Sequence, residues 1–423
     1  MDLKGKKLLI LAGQGVHCKV VRAAKEMGVY TVVADYLDVA DSPAKQIADE
    51  NVNISILDVD ALVEYCIKNK IDGVLNFCND PAQRPYQQIC EKLSLPCYTT
   101  AEQVQLLTNK QKFKELCIAN GVDVIPTYLE EDVVNGTVDY PVIVKPVDSR
   151  GSRGVTLCYD LDVALSAIEL AKEASSNGKI IIEKYMGGKQ DFQITYLFVD
   201  GIPHLIRTAD RYEGKVADGM NKVSTLTVSP SKYTRLFLNN IYERLTKMLV
   251  GIGIKNGPVF MQGFVDGDTV RFYDPGVRFP GANFENIMLK SNGIDIAKHM
   301  IEFALTGSLA NCDGKSLDEL CGLHGRRAAM VYPMVRHGKI GQVDLPSWLN
   351  NTDIASYSLK YQIGDTVEKT GTVTQRFGEF DILSASTEEL KTTIKSLYRD
   401  LQVSDEKGES MVISKIDLDA TDI

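Results

Sequence analysis

The chain has 423 residues and a mass of 46.7 kDa, enough for two or three domains with real cores. Hydrophobic residues at 44% and charged residues at 24% exclude wholesale disorder and a disulfide-held miniature scaffold. A formal net charge of -9 argues against a general nucleic-acid binder, which needs Lys and Arg in excess to face phosphates.

No apolar run approaches the roughly eighteen residues that span a bilayer, and the first five residues lead into a strand-like run instead of a signal-peptide core. A cytoplasmic protein is expected. In chain order, the apolar run at 7–11 ends in Gly13-Gln14-Gly15, and Val20, Val21, Ala24 and Met27 follow at helical spacing before Gly28. Runs at 31–35, 52–54 and 73–77, with a helical stretch at 60–68, alternate strand with helix and predict a small parallel sheet of right-handed βαβ units over 1–100. A helix over 101–120 closes at Gly121, and Pro126 breaks the pattern. From 140 to 274 the texture is strands at 142–145, 154–158, 180–184, 192–199, 259–265 and 270–273, joined by short Gly-containing turns, with few long helices. A helix at 294–305, a section punctuated by Gly338, Gly341, Gly364, Gly371 and Gly378, and a helix at 387–401 lead to a polar end at 404–423. The fold class expected is α/β followed by α+β, in several domains.

The nine cysteines are scattered without a C-x-x-C pair, which predicts reduced thiols used as small apolar residues. The five histidines offer no H-E-x-x-H. Gly13 and Gly15, with Asp35 twenty residues beyond, imitate a dinucleotide fingerprint in which the acid holds a ribose. Cys18 replaces the third glycine and would crowd helix against strand, so a tight turn in a Rossmann-like domain that binds no NAD is favoured over an NAD(P)-dependent oxidoreductase. His17 reads as a surface histidine at a helix start, with a polar group over a substrate cleft as its alternative.

The strongest signal is Val142-Ile143-Val144-Lys145-Pro146 followed by Gly151-Ser152-Arg153-Gly154-Val155. An apolar strand delivers a lysine, proline stops the strand, and a Gly/Ser loop can turn its N–H groups toward phosphates. A Walker A loop has the opposite order, with the lysine after the glycines. A snorkelling lysine beside a solvent loop is the plainer alternative.

With Asn109-Lys110 and Phe113-Lys114 upstream, Ile182-Glu183-Lys184-Tyr185-Met186 downstream and the late Asp274-Pro275-Gly276-Val277-Arg278, this motif resembles the ATP-grasp superfamily in order and rough spacing. The resemblance is to carboxylate-amine ligases and biotin-carboxylase-like members and covers nearly the whole chain. It implies a Rossmann-like domain at 1–100, ATP-grasp lobes at 101–310 with a mobile Gly-rich subdomain over about 122–190, and a C-terminal α+β domain at 311–423. It also implies ATP and magnesium as cofactors. Lys110 and Lys145 would hold the phosphates, and Gly151, Ser152, Arg153 and Gly154 would close over them. Glu183 and the backbone of Lys184, Tyr185 and Met186 would read the adenine edge, and Asp191 the ribose. Arg278, with Lys145, would stabilise the transferring phosphoryl group or acyl phosphate. On residue chemistry alone, Lys110 is as readily a solvated lysine on an amphipathic helix, and Glu183 an ordinary strand-end charge.

The metal site departs from the family pattern, with Gln262, Asp274 and Gly276 at its positions. Asp274 and Gln262, together with ATP, would hold magnesium. A three-residue loop at Asp266-Gly267-Asp268 would put Gln262 opposite Phe272 on the face of Asp274; a two-residue turn would put them on opposite faces. Glu285 could supply a further carboxylate, although a plain helix-start residue reads better.

Asn79-Asp80-Pro81-Ala82-Gln83-Arg84 follows a strand end, where substrates bind in parallel sheets, and it also reads as a capping box built on Asp80 and Gln83. Arg207-Thr208-Ala209-Asp210-Arg211-Tyr212 would place an arginine against a substrate carboxylate or be a solvated charge cluster. Trp348 reads as packing. The expected function is an ATP-dependent ligase that activates a small carboxylate as an acyl phosphate for attack by an amine. The alternative is a nucleotide-binding regulatory protein with an impaired metal site. Small-molecule carboxylate and amine partners are expected, with neither nucleic acid nor membrane, and a homodimer would be unremarkable.

Overall fold

The computed structural model describes residues 3–147, 155–214, 223–351, 355–414 and 416–423. Strands β1 (Lys7–Leu11), β2 (Tyr30–Ala34), β3 (Glu50–Val52) and β4 (Gly73–Leu75) form a parallel sheet in the order β3-β2-β1-β4. Strands β1, β2 and β4 read as largely apolar runs because they are buried, whereas β3, at the edge, is Glu-Asn-Val. One helix, Ile296–Thr306, comes from much later in the chain and packs on β4 and β1. Gly73 permits the approach: a Cβ there would lie 2.3 Å from the Ala304 carbonyl oxygen.

The turn after β1 is closed by Asp35, whose carboxylate accepts from the Gly13 N–H at 2.8 Å and the Leu37 N–H at 2.9 Å. A Cβ on Gly13 would meet Ser42 Oγ at 1.7 Å, so this glycine admits the neighbouring chain. The acid that imitated a ribose ligand is occupied by its own turn. His17, expected at the surface, is fully buried, with Nε2 3.6 Å from Cys78 Sγ. All nine cysteines are free thiols.

The predicted helix over 101–120 is two helices, Ala101–Thr108 and Lys110–Ala119. Asn109 breaks it by adopting an extended conformation and accepting the Lys112 N–H at 3.0 Å, an N-cap in mid-segment. Lys110 thereby becomes a helix-start residue.

A small antiparallel sheet follows, of β5 (Thr127–Tyr128), β6 (Val142–Pro146), β7 (Thr156–Cys158) and β8 (Ile180–Lys184), in the order β5-β8-β6-β7. The helix Leu161–Ala174, absent from the sequence reading, covers it with Ala164, Ala167, Ile168 and Ala171, which meet Val142, Val144 and Ile182 in a separate core. Small residues at that spacing make a weak apolar signal, yet they let helix and sheet approach closely.

The remaining strands are β9 (Asp191–Val199), β10 (Ile202–Glu213), β11 (Ser224–Ser229), β12 (Gly257–Asp266), β13 (Thr269–Gly276), β14 (Arg327–Val331), β15 (Gly338–Asp344), β16 (Ala355–Leu359), β17 (Thr366–Val367), β18 (Gly378–Ser384) and β19 (Gln402–Asp405). Eight of them make one antiparallel sheet in the order β13-β12-β9-β10-β11-β14-β18-β16, and β17-β15-β19 make a third, smaller one. The large sheet runs across position 310 through the pairing of β11 with β14, where Leu226 opposes Val331. Leu226 and Val228 share a core with Phe380, Ile382, Leu390 and Ile394 of the C-terminal section, and Trp348 packs against it. Among the described residues, no helix is long and apolar enough to cross a membrane.

Candidate active site

The small sheet faces the large one across a cleft of about 690 Å³, whose walls include Lys145, Glu183, Tyr185, Met186, Asp191 and Tyr273. β6 carries Lys145 to the cleft, and the adjacent β8 carries Glu183, which is buried and ion-paired with both Lys145 and Lys114. Burial raises the Glu183 carboxyl, but the charges of Lys145 and Lys114 take it below its ordinary value, so it stays a carboxylate. The Glu183 side chain, expected at an adenine edge, is held between two lysines. The N–H groups of Lys184 and Tyr185 likewise donate to the Pro126 and Pro141 carbonyls at 3.0 and 2.9 Å, so those two donors are also spent. Met186 lines the cleft. Gly151, Ser152, Arg153 and Gly154 lie outside the described residues.

Lys114 went unassigned in the sequence, although its place one helical turn after Lys110 puts both on one face. Lys110 is half-buried and has no ion-pair partner among the described residues. Burial, then the charge of Lys145, lowers its ammonium, while Asp274, Glu183 and Asp80 oppose the shift. Asp274 is raised by burial, opposed by Arg278, Lys110 and Lys145. These groups come from five separate segments and share one electrostatic field.

The β12-β13 hairpin combines both geometries weighed from the sequence. Its turn has two residues, Gly267 and Asp268, since Asp266 opposes Thr269. A bulge between Gln262 and Gly263 then shifts the register by one, so Gln262 stands opposite Asp274 on the same face. Phe272, expected opposite Gln262, opposes Gly263 instead. Gln262 Nε2 donates to both Asp191 oxygens at 3.1 and 2.9 Å, and Arg211 Nη1 donates to Asp191 at 2.8 Å. Burial raises the Asp191 carboxyl to about 6 despite these donors. Among the described residues, no three His, Cys, Asp or Glu side chains cluster to hold a metal by themselves. Asp274 and the side-chain carbonyl of Gln262 suit a magnesium ion whose other ligands are phosphates and water. Glu285 is ion-paired with Lys19 on a different element, which commits its carboxylate elsewhere.

Asp80 does not cap a helix. The helix Gln83–Leu93 has Ala82 at its N-cap, and the Ala82 N–H donates to Asn79 Oδ1 at 3.1 Å. Asp80 instead accepts from Arg278 Nε at 3.0 Å and Gln83 Nε2 at 2.8 Å, and Gln83 Oε1 accepts the Val277 N–H at 2.7 Å. These bonds tie the end of the parallel sheet to the strand exit that carries Arg278, whose guanidinium lies 5.4 Å from the Phe260 ring centroid. The segment 207–212 is not a solvated cluster either: Arg207 is 1% exposed and Asp210 fully buried on β10. Arg207, Arg211, Arg278 and Arg376 line a second cavity of about 190 Å³, with Asp274 at its edge. Arg376 had no sequence signal, because it lies in a loop about a hundred residues after the other cleft residues.

The family model for the ATP-binding domain of the carbamoyl-phosphate synthase L chain matches residues 105–236. The chain is 26% identical over 278 residues to the carbamoyl phosphate synthase large chain of Clostridium botulinum, covering 60% of this chain and 25% of that one. It thus spans about a quarter of the length of that relative. It is 24% identical over 289 residues to the formate-dependent phosphoribosylglycinamide formyltransferase of Haemophilus ducreyi, covering 64% of this chain and 69% of that one. Among solved structures, the L-amino acid ligase from Bacillus licheniformis superposes with a TM-score of 0.76 at 18% identity, over 95% of this chain and 99% of that one. That likeness establishes the fold.

Proposed function

We propose, from the premise that this chain belongs to the ATP-grasp superfamily, that it is an ATP-dependent carboxylate-amine ligase. The observation that carries this reading is that Lys110, Lys145, Asp274 and Arg278, drawn from three segments, share one electrostatic field, with Lys145 on the wall of the cleft between two sheets and Asp274 and Arg278 lining the second cavity. Lys110 and Lys145 would hold the ATP phosphates, with Gly151, Ser152, Arg153 and Gly154 over them and Asp191 beside the ribose. Glu183 acts as the positioning residue that fixes Lys145. A carboxylate oxygen of the substrate attacks the γ-phosphorus, the bond to the bridging oxygen breaks, and ADP leaves. An amine then attacks the acyl carbon and phosphate departs with the bonding pair, while the amine proton passes to solvent. Arg278 offsets the charge that gathers on the transferring phosphoryl group and the acyl phosphate. Magnesium bound at Asp274 and Gln262 would supply further neutralisation of the phosphates.

The parallel order β3-β2-β1-β4 supports a Rossmann-like domain at 1–100, while the proposed ATP-grasp lobes at 101–310 and C-terminal α+β section at 311–423 share the eight-stranded sheet. A second reading, a nucleotide-binding regulator with weak turnover, rests on Gln262 and Gly276 where carboxylate and amide ligands are usual. Asp274→Asn separates the two. The ligase requires a large loss of substrate-dependent phosphate release, and an unchanged rate would refute the metal assignment. The first test is a thermal-shift panel of ATP, ADP, NADH and NADPH with and without Mg. Saturating ATP at about 100 times its Kd should add roughly 2.7 kcal/mol. Stabilisation by NADH alone would overturn the reading.

A further inference from the structure

We propose, resting on the ligase reading, that the acid this protein activates carries a second anionic group, held by Arg207 and Arg376 in the 190 Å³ cavity beside Asp274 and Arg278. Arg211 is ion-paired with Asp191, and Arg278 with Asp80. Arg207 and Arg376 have only neutral partners among the described residues. Arg207 Nη1 donates to Gln193 Oε1 at 3.1 Å, and its guanidinium lies 4.7 Å from the Phe284 ring centroid. Arg376 Nη2 donates to the Ser224 carbonyl at 2.8 Å, and its guanidinium lies 4.1 Å from the Tyr332 ring centroid. The Nε of each is buried without a hydrogen-bond partner.

Burial lowers both guanidinium groups, Arg207 to about 10, as expected for cations stripped of water without a compensating anion. The nearby acids do not discharge them. Glu285 is paired with Lys19, and Glu379, raised by burial, accepts the Asn283 N–H at 2.6 Å. Two planar guanidinium forks, Arg207 buried and Arg376 half-buried, neither ion-paired among the described residues, are suited to an anion that arrives with the ligand. The reacting carboxylate must lie toward Arg278 and the lysines to meet the γ-phosphate, which leaves Arg207 and Arg376 for a different part of the molecule. A second carboxylate and a phosphoryl group present the same acceptor geometry to these forks.

The test is titration calorimetry on the full chain, with and without saturating ADP. The probes are propionate and butyrate, the dicarboxylates malonate and succinate, phosphoglycolate, and the anionic amine β-alanine. Malonate, succinate or phosphoglycolate should bind at least about tenfold more tightly than the monocarboxylates, and Arg376→Met should abolish the advantage. Preference for succinate or for phosphoglycolate identifies the second group. Equal affinity for mono- and dianions, or preference for β-alanine alone, overturns the inference while leaving ATP binding and the ligase reading in place. Dianion binding in a protein that does not bind ADP keeps the anion pocket and sinks the ligase. A dianion preference that survives in both Arg376→Met and Arg207→Met refutes the assignment to these arginines. If either variant fails to fold, the wild-type probe series alone decides.

Discussion

Lys145 stands where an apolar strand leaves its sheet, and its ammonium is matched by a carboxylate that also holds Lys114. Lys145→Ala should therefore leave Glu183 paired and the fold intact by circular dichroism. It should lower substrate-dependent phosphate release about 10²- to 10³-fold, as removal of one preorganised charge does elsewhere. Normal turnover would end its phosphate role. His17 carries a prediction about pH. Burial, then the charge of Lys19, pushes its imidazole down from 6.5 to about 4, so the folded state keeps it neutral while the unfolded chain protonates it. The unfolded state binds the extra proton between these values, so stability is complete above about pH 6.5 and falls as pH drops toward 4. The loss is on the order of 3 kcal/mol. Urea unfolding at pH 7 and pH 4.5 should show a shallower pH dependence in His17→Gln than in wild type. An unchanged slope would place the acid sensitivity elsewhere.

Element geometry decides which of these residues meet. The bulge in β12 cancels the parity of a two-residue turn and sets Gln262 against Asp274. Gly263 sits at the bulge because a Cβ there would lie 2.8 Å from the Arg271 carbonyl oxygen. Gly263→Val should cost about 1–3 kcal/mol of stability and, by disturbing the register, reduce turnover more than ATP binding. Wild-type melting temperature and activity in that variant would show that the bulge tolerates a side chain. Asn109 does comparable work for Lys110. Asn109→Ala should cost about 1 kcal/mol and raise the KM for ATP, since the helix start that presents Lys110 loses its cap. Residue spacing revealed the strand that ends in Lys145 and the βαβ alternation. It missed the break at Asn109, because capping competes with helix propensity at single residues.

At the scale of the molecule, a domain boundary near 310 is natural in the sequence, yet the large sheet crosses it. Removing residues 311–423 would expose the edge of β11 and the fully buried faces of Leu226 and Val228. Such a truncated chain should aggregate instead of yielding a folded nucleotide-binding fragment, which solubility and circular dichroism would reveal. The parallel sheet is tied in as firmly, through Ile296–Thr306 on β4 and through Asp80 and Gln83 on the strand exit at Arg278.

The amino-acid sequence by itself determined the alternation of strands and helices, the delivery of Lys145 by β6, the order of the nucleotide-cleft motifs and the tight turn at Gly13. Each depends on neighbours along the chain, and backbone periodicity carries that information. Only the tertiary structure decided that Glu183 pairs with lysines, that Asp80 meets Arg278 and that His17 is buried. The same holds for Arg376, which joins Arg207 in one cavity. Ion pairs and cavities depend on which distant segments converge, and no local spacing encodes how a sheet of eight strands brings residues 207 and 376 together.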